Sequence, residues 1–283
     1  MVTVPLRLKS ETSKNVSSRE YELNIKELES KITKKTKFLL FNTPHNPTGK
    51  IFNKAEIEGI AKIMKKHNVY VLSDEVYEQQ YFDEKHERIA NVDGMWERTL
   101  TVGSAGKMFG ITGWRIGWVY GPDELIAPIV KVFSRTVFCS STPMQQAVSL
   151  SLNTAMQNDY FEEQRNEMRR KRNFLVEALN NAGLTIVVPQ GGYFMIANTE
   201  KLKFQFQPEI WEEGSDGEVE PYDYSVCRWM TKYIGVTAIP PSAFYSKENI
   251  PLARFTARFC FCKTDETLQE AKERLLELKK YSK

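Results

Sequence analysis

Histidine and cysteine are scarce: three and four residues in a chain of 283 leave metal chemistry little to build on. Cys139, Cys227, Cys260 and Cys262 show no C-x-x-C spacing and no grouping with the histidines. Buried free thiols in a reducing compartment are the expectation, with Cys260 and Cys262 on one face of a strand. A long apolar run is also missing. Nothing approaches the ~18 residues that a membrane span needs, and residues 1–10 hold too short an apolar stretch for a secretory signal. Nor does one sign of charge dominate: 39 Lys and Arg against 36 Asp and Glu give +3, too small and too evenly spread for a nucleic-acid partner. The lysine-rich stretches 31–37 and 62–66 alternate with apolar residues and read as solvated faces. What is present, 41% hydrophobic and 27% charged residues, is ordinary for a globular protein of one large domain or two modest ones.

Residues 1–30 are polar and irregular in pattern. K-F-L-L-F-N (37–42) is a short apolar run that ends in T-P-H-N-P-T-G (43–49), where two prolines and a glycine forbid a regular element. Residues 53–67 carry Ile57, Ile60, Ala61 and Met64 at helical spacing, with Asn53 placed as an N-cap. The run 69–73 has no polar face and suits a strand buried on both sides. Strand, helix and strand in this order make a βαβ unit and a parallel sheet. Further strands are predicted at 99–102 and 114–120, and helices at 122–133 and 142–156. A long charged helix at 159–182 is expected to bridge two domains. Strands at 185–188 and 193–197, an acidic surface loop at 212–220, a helix near 223–234, a strand at 254–259 and a helix from Asp265 complete the chain. The expected fold class is α/β: a mainly parallel sheet between helices in residues 1–158, then a smaller α+β domain in 159–283.

The residues able to carry chemistry lie at the C-terminal ends of the predicted strands, where open α/β sheets place their ligand crevices. Asn46 lies in the turn after the first, Asp74 and Tyr77 follow the second, Ser104 and Lys107 the third, and Arg115 starts the next. Arg258 comes from the second domain. Singly, each has a plain explanation: an Asn in a proline turn forms turns, an Asp after a strand can cap a helix, and a surface Arg pairs with a carboxylate. Their order and local context change that reading.

N-T-P-H-N-P-T-G-K (42–50), S-D-E-V-Y-E (73–78), S-A-G-K-M-F-G-I-T-G-W-R-I-G-W (104–118) and R-F-C-F (258–261) resemble the successive motifs of the fold-type-I, class I/II aminotransferases, enzymes dependent on pyridoxal 5′-phosphate. M-W-E-R-T-L-T-V-G-S-A-G-K (95–107), P-Q-G-G-Y-F (189–194), E-P-Y-D-Y (220–224) and A-I-P-P-S-A-F (238–244) look most similar to the kynurenine aminotransferase branch, also known as glutamine transaminase K or cysteine-conjugate β-lyase. The resemblance implies transfer of an amino group from an L-amino acid, kynurenine- or glutamine-like, to a 2-oxo acid, with β-elimination from cysteine conjugates as a second reaction. It assigns Lys107 to covalent attachment of the cofactor and to proton transfer at the substrate α-carbon. It pairs Asp74 with the pyridine nitrogen, and Tyr77 and Asn46 with the 3′ oxygen. Ser104 and Arg115 go to the phosphate, and Arg258 to the substrate carboxylate, with Asn46 also beside substrate. It further implies a homodimer in the cytoplasm or mitochondrion.

The pattern departs from the family in two places. Family members carry a long N-terminal segment before the point matching Met1, with further phosphate contacts, an aromatic that stacks on the cofactor and part of the substrate pocket. The resemblance therefore reads this chain as N-terminally truncated, and its alternative function is that of an inactive fragment or isoform. In addition, Met108-Phe109-Gly110 follow the lysine where the family often has a hydroxyl residue, a change expected to be tolerated.

Overall fold

The computed structural model describes residues 1–9, 13–203 and 220–281. Its strands are β1 (Leu6–Leu8), β2 (Val16–Ser17), β3 (Tyr21–Leu23), β4 (Phe38–Asn42), β5 (Tyr70–Asp74), β6 (Thr99–Ser104), β7 (Gly117–Tyr120), β8 (Thr185–Val188), β9 (Phe194–Asn198) and β10 (Thr256–Cys260). Its helices are α1 (Ile25–Ser30), α2 (Lys54–His67), α3 (Ala105–Met108), α4 (Asp123–Thr136), α5 (Thr142–Ala155), α6 (Tyr160–Asn181), α7 (Tyr222–Trp229) and α8 (Asp265–Leu275). The chain divides into two compact units. One is Asn24–Asn46 with Lys50–Asn166; the other is Met1–Leu23, Pro47–Gly49 and Glu167–Lys283. The first 23 residues thus group with the C-terminal residues, whereas the sequence placed them with 24–158.

In the first unit the sheet order is β4-β5-β6-β7, with β4, β5 and β6 parallel and β7 antiparallel to β6. The βαβ unit exists because α2 starts and stops cleanly. Asn53 and Glu56 form a reciprocal capping box, Lys65, Lys66 and His67 occupy the last turn, and Asn68 closes it in the left-handed region. The helix buries Ile57, Ile60, Ala61, Ile63 and Met64. Strand β5 is not buried on both sides as expected: Val71 and Ser73 are buried, Leu72 and Asp74 half-buried, and Tyr70 exposed. The strand predicted over 114–120 forms only from Gly117, because Trp114 ends a short 3-10 turn and Arg115 turns left-handed. Gly103 faces Trp118 so closely that a Cβ there would lie 2.2 Å from the indole nitrogen.

In the second unit the order is β10-β9-β8-β2, antiparallel except for the parallel pair β2–β8, beside a β1–β3 hairpin. Among the described residues of 1–30 lie β1, β2, β3 and α1; these strands of two and three residues are too short to show a period in the sequence. Gly49, at φ +69°, is held here: its carbonyl accepts from Ser18 Oγ at 3.0 Å and from the Gln190 and Gly191 amides at 3.0 and 2.9 Å. A Cβ on Gly49 would sit 2.3 Å from Pro189 Cβ. The helix expected near 223–234 is α-helical to Trp229 and widens to π geometry over Met230–Ile234. The acidic loop at 212–220 lies outside the described residues except for Glu220, which accepts from Arg228 Nη2 at 2.8 Å.

Only one thiol is buried, Cys227; Cys260 is half-buried, and Cys139 and Cys262 are exposed. The strand pattern fails at Cys262 because β10 ends at Cys260. No helix among the described residues is long and apolar enough to cross a membrane.

Candidate functional site

Register brings the expected residues of the first unit to one edge. Asn42 pairs with Asp74 across β4 and β5, and Asp74 with Val102 across β5 and β6, so the three following loops leave from the same end of parallel strands. Asn42 links two of them. Its Nδ2 donates to the Asp74 carbonyl at 2.9 Å and its Oδ1 accepts from the Asn46 amide at 2.8 Å. Asn46 is thereby fixed in the proline turn by a residue that the sequence reading did not single out.

Asp74 ends β5 half-buried, and its Oδ1 accepts from the Val76 amide at 3.3 Å. Burial pushes its carboxyl above the usual carboxylate range; the Val76 bond and the Lys107 charge pull the other way, and the Glu75 charge adds to the rise. Tyr77 is buried in the following turn, which is closed by bonds from Glu78 N to Glu75 O at 2.9 Å and from Gln80 N to Tyr77 O at 2.8 Å. Glu75 is fully buried beside Asp74. It accepts from Ser73 Oγ and His86 Nε2, both at 2.8 Å, with Arg88 Nε at 3.4 Å. Arg88 also pairs with Glu78. A buried carboxylate needs such partners. The charged pair inside D-E-V-Y-E signalled it in the sequence, but His86 lies outside every motif.

Ser104 is the last residue of β6 and pairs with Gly117 of β7. Lys107 follows on the single turn α3, half-buried. Arg115 has φ 57° and ψ 36°, and its Nη1 donates to the Thr112 carbonyl at 3.2 Å. A non-glycine residue in this region is uncommon and concentrates at functional sites. The Ala105 amide donates to the Ile116 carbonyl at 3.1 Å, which ties the start of α3 to the residue after Arg115. A cavity of about 290 Å³ lies nearby, lined by Ile116, Trp118, Val148 and Leu152 among others, and by none of the seven expected residues.

Arg258 belongs to the second unit. On β10 it exchanges backbone bonds with Ile239 at 2.9 and 3.0 Å, and its guanidinium lies over the rings of Phe194 at 4.1 Å and Phe244 at 5.0 Å. The turn that carries Phe244 is locked by buried Asp223, which accepts from Ser242 N at 2.7 Å and Ser242 Oγ at 2.8 Å. Three motifs distant in sequence, E-P-Y-D-Y, A-I-P-P-S-A-F and P-Q-G-G-Y-F, so meet around one arginine.

The kynurenine–oxoglutarate transaminase of Dictyostelium discoideum is 42% identical over 277 residues, covering 95% of this chain and 62% of the relative. Kynurenine–oxoglutarate transaminase 3 of Homo sapiens is 41% identical over 278 residues, covering 96% and 60%. Among solved structures, Bna3p of Saccharomyces cerevisiae superimposes with a TM-score of 0.92 at 39% identity, covering 99% of this chain and 66% of that one. N-succinyldiaminopimelate aminotransferase of Mycobacterium tuberculosis gives 0.82 at 35%, covering 98% and 65%. The chain thus spans three fifths to two thirds of the length of these relatives. The model of the family described as aminotransferase class I and II matches residues 6–275, and with these relatives it establishes that the chain belongs to that pyridoxal 5′-phosphate-dependent family.

Proposed function

We propose that this chain carries the catalytic lysine of an aminotransferase that moves the amino group of an L-amino acid, kynurenine- or glutamine-like, to a 2-oxo acid. The observation that carries the reading is Lys107 on its one-turn helix directly after β6, at the same end of the parallel strands as the half-buried carboxyl of Asp74 on β5. The residues fit pyridoxal 5′-phosphate on two counts. Asp74 is a carboxyl desolvated by burial, which a cationic ring nitrogen would relieve. Ser104 offers a hydroxyl and Arg115 a guanidinium from adjacent strand ends, a donor set suited to phosphate oxygens.

Bound pyridoxal 5′-phosphate supplies a sink for the electron pair left when a bond at the substrate α-carbon breaks. Lys107 would hold the cofactor covalently, and its amine would take and return the proton at the substrate α-carbon. Asp74 holds a proton on the ring nitrogen, which deepens the sink. Tyr77 and Asn46 would donate to the ring's 3′ oxygen, and substrate binding would fall to Arg258, for the carboxylate, and to Asn46. β-Elimination from cysteine conjugates starts with the same proton transfer and belongs to this reading. So do a division into a cofactor-binding domain within 1–158 and a smaller domain within 159–283, and a place in the cytoplasm or mitochondrion.

A homodimer is part of the same proposal. Helix α4 buries none of its 14 residues, and Val130, Val132, Phe133, Val137 and Phe138 are all exposed, an apolar stretch of the kind that a second subunit covers.

The test is to add pyridoxal 5′-phosphate, reduce with borohydride, map the modified peptide, and assay kynurenine and glutamine with 2-oxo acids. An adduct at Lys107 with amino-group transfer is expected. An adduct mapped to another lysine would overturn the site, and an adduct at Lys107 without turnover would overturn the activity.

A further inference from the structure

Helix α3 is a single turn, so the carbonyls at its C-terminal end have no partners within the helix. Two glutamine side chains supply them. Gln80 Nε2 donates to the Lys107 carbonyl at 3.1 Å, and Gln164 Nε2 to the Met108 carbonyl at 2.9 Å. The amides are joined to each other: Gln80 Nε2 also donates to Gln164 Oε1 at 3.3 Å, and Gln164 Nε2 reaches Tyr160 Oη at 3.2 Å. Gln80 comes from the turn after β5, six residues beyond Asp74; Gln164 comes from the start of α6. The same helix start packs on the residue two places after the lysine. The Phe109 ring lies 5.6 Å from Tyr160 and 5.8 Å from Phe161, centroid to centroid.

We propose that Gln80 and Gln164 are a positioning pair for Lys107, two linked amides that fix the backbone of the lysine turn and so the placement of its amine. The pair rests on the reading of Lys107 given above. Gln80 is buried, and its Oε1 has no hydrogen-bond partner among the described residues. A buried amide that leaves an oxygen unmade is a poor choice for stability alone, since an apolar side chain of that size would fill the space without the loss. What it keeps is a donor at the Lys107 carbonyl. The aromatic contact of Phe109 adds a second restraint from the same helix.

The experiment compares the chain with Gln80→Leu, Gln164→Glu and the double variant. Gln164→Glu sits on a half-exposed helix turn, keeps the acceptor for Gln80 and removes the donor shared by the Met108 carbonyl and Tyr160 Oη, so the fold survives there even if Gln80→Leu fails to fold. Each protein, without cofactor, is treated with limiting acetic anhydride, and acetylation of Lys107 is followed by mass spectrometry against exposed Lys54 as an internal standard. Circular dichroism reports the fold. Loss of the clamp loosens the lysine turn, and the Lys107 rate relative to Lys54 should rise by roughly fivefold, about one hydrogen bond's worth. The double variant should show little beyond the larger single effect, because the amides act as one unit. A Lys107 rate unchanged in every folded variant overturns the proposal. Trapping of pyridoxal 5′-phosphate with borohydride runs in parallel. Wild type that fails to trap it at Lys107 defeats the functional reading, while the acetylation ratio judges the clamp independently.

Discussion

At the residue scale, the side chains differ in what surrounds them, and that decides how each responds to change. Arg258 is held between two aromatic faces, at 4.1 and 5.0 Å, which fixes a planar guanidinium but not an ammonium. Arg258→Lys should raise KM for amino acids by roughly tenfold or more, the size of a lost bidentate contact, while amines without a carboxylate react as before. Equal loss for both substrate types would make the arginine structural. His45 behaves differently. Burial, with the Lys50 charge, pushes its imidazole down to about 4. The unfolded chain takes up this proton near its ordinary value of about 6.5, and the folded chain refuses it until about 4. The contribution is therefore fully present above about 6.5 and is lost as the pH falls toward the folded value. Urea midpoints of the cofactor-free protein should decline over that interval and flatten in His45→Gln; parallel curves would assign the decline to another group.

At the element scale, α2 shows how one carboxylate can serve both a helix start and a buried charge. Glu56 Oε2 accepts from the Asn53 amide at 2.9 Å, and Glu56 Oε1 pairs at 2.9 Å with Lys50, which is 1% exposed. Glu56→Ala should destabilise by about 2–4 kcal/mol, since it removes half of the capping box and a partner of a buried ammonium. Glu56→Gln should cost less, because its amide oxygen still accepts from Asn53. Denaturant titration of both separates the parts, and equal losses would show that the cap contributes nothing. This helix was legible in the sequence because cap, apolar spacing and stop residues all agree, and the same agreement made β4, β6, α5 and α6 legible to within a few residues. Strands β1, β2 and β3 were not, since β2 exists through pairing with β8 and has no period of its own. The lysine motif could be read because its residues are contiguous. The amides of Gln80 and Gln164 could not, because they are 84 positions apart and meet only in the fold.

On the scale of the whole molecule, the exposed side of α4 and the turn after it is the feature most open to test. Val132 on the helix is 62% exposed, and Phe138, just beyond its end, is 81% exposed. If a second copy covers them, light scattering with size-exclusion chromatography should give the mass of a dimer. Val132→Glu should shift it toward monomer with an unchanged circular dichroism spectrum, because no buried contact within the subunit is lost. A mass that ignores the charge in both proteins would remove α4 from the interface.

The division of the chain between its two units also sets an order in time. The last residue assigned to the unit carrying Lys107 is Asn166. The other opens with Met1–Leu23, yet β2 must pair with β8, and the Ser18 hydroxyl must wait for the amide of Gln190, 172 residues later. At roughly 5–20 residues per second of synthesis, that wait is on the order of ten to thirty seconds. During translation β2 is therefore an edge whose partner β8 has still to be made, while the strands of the β4-β5-β6-β7 sheet, which lie between them in the chain, can already pair with one another.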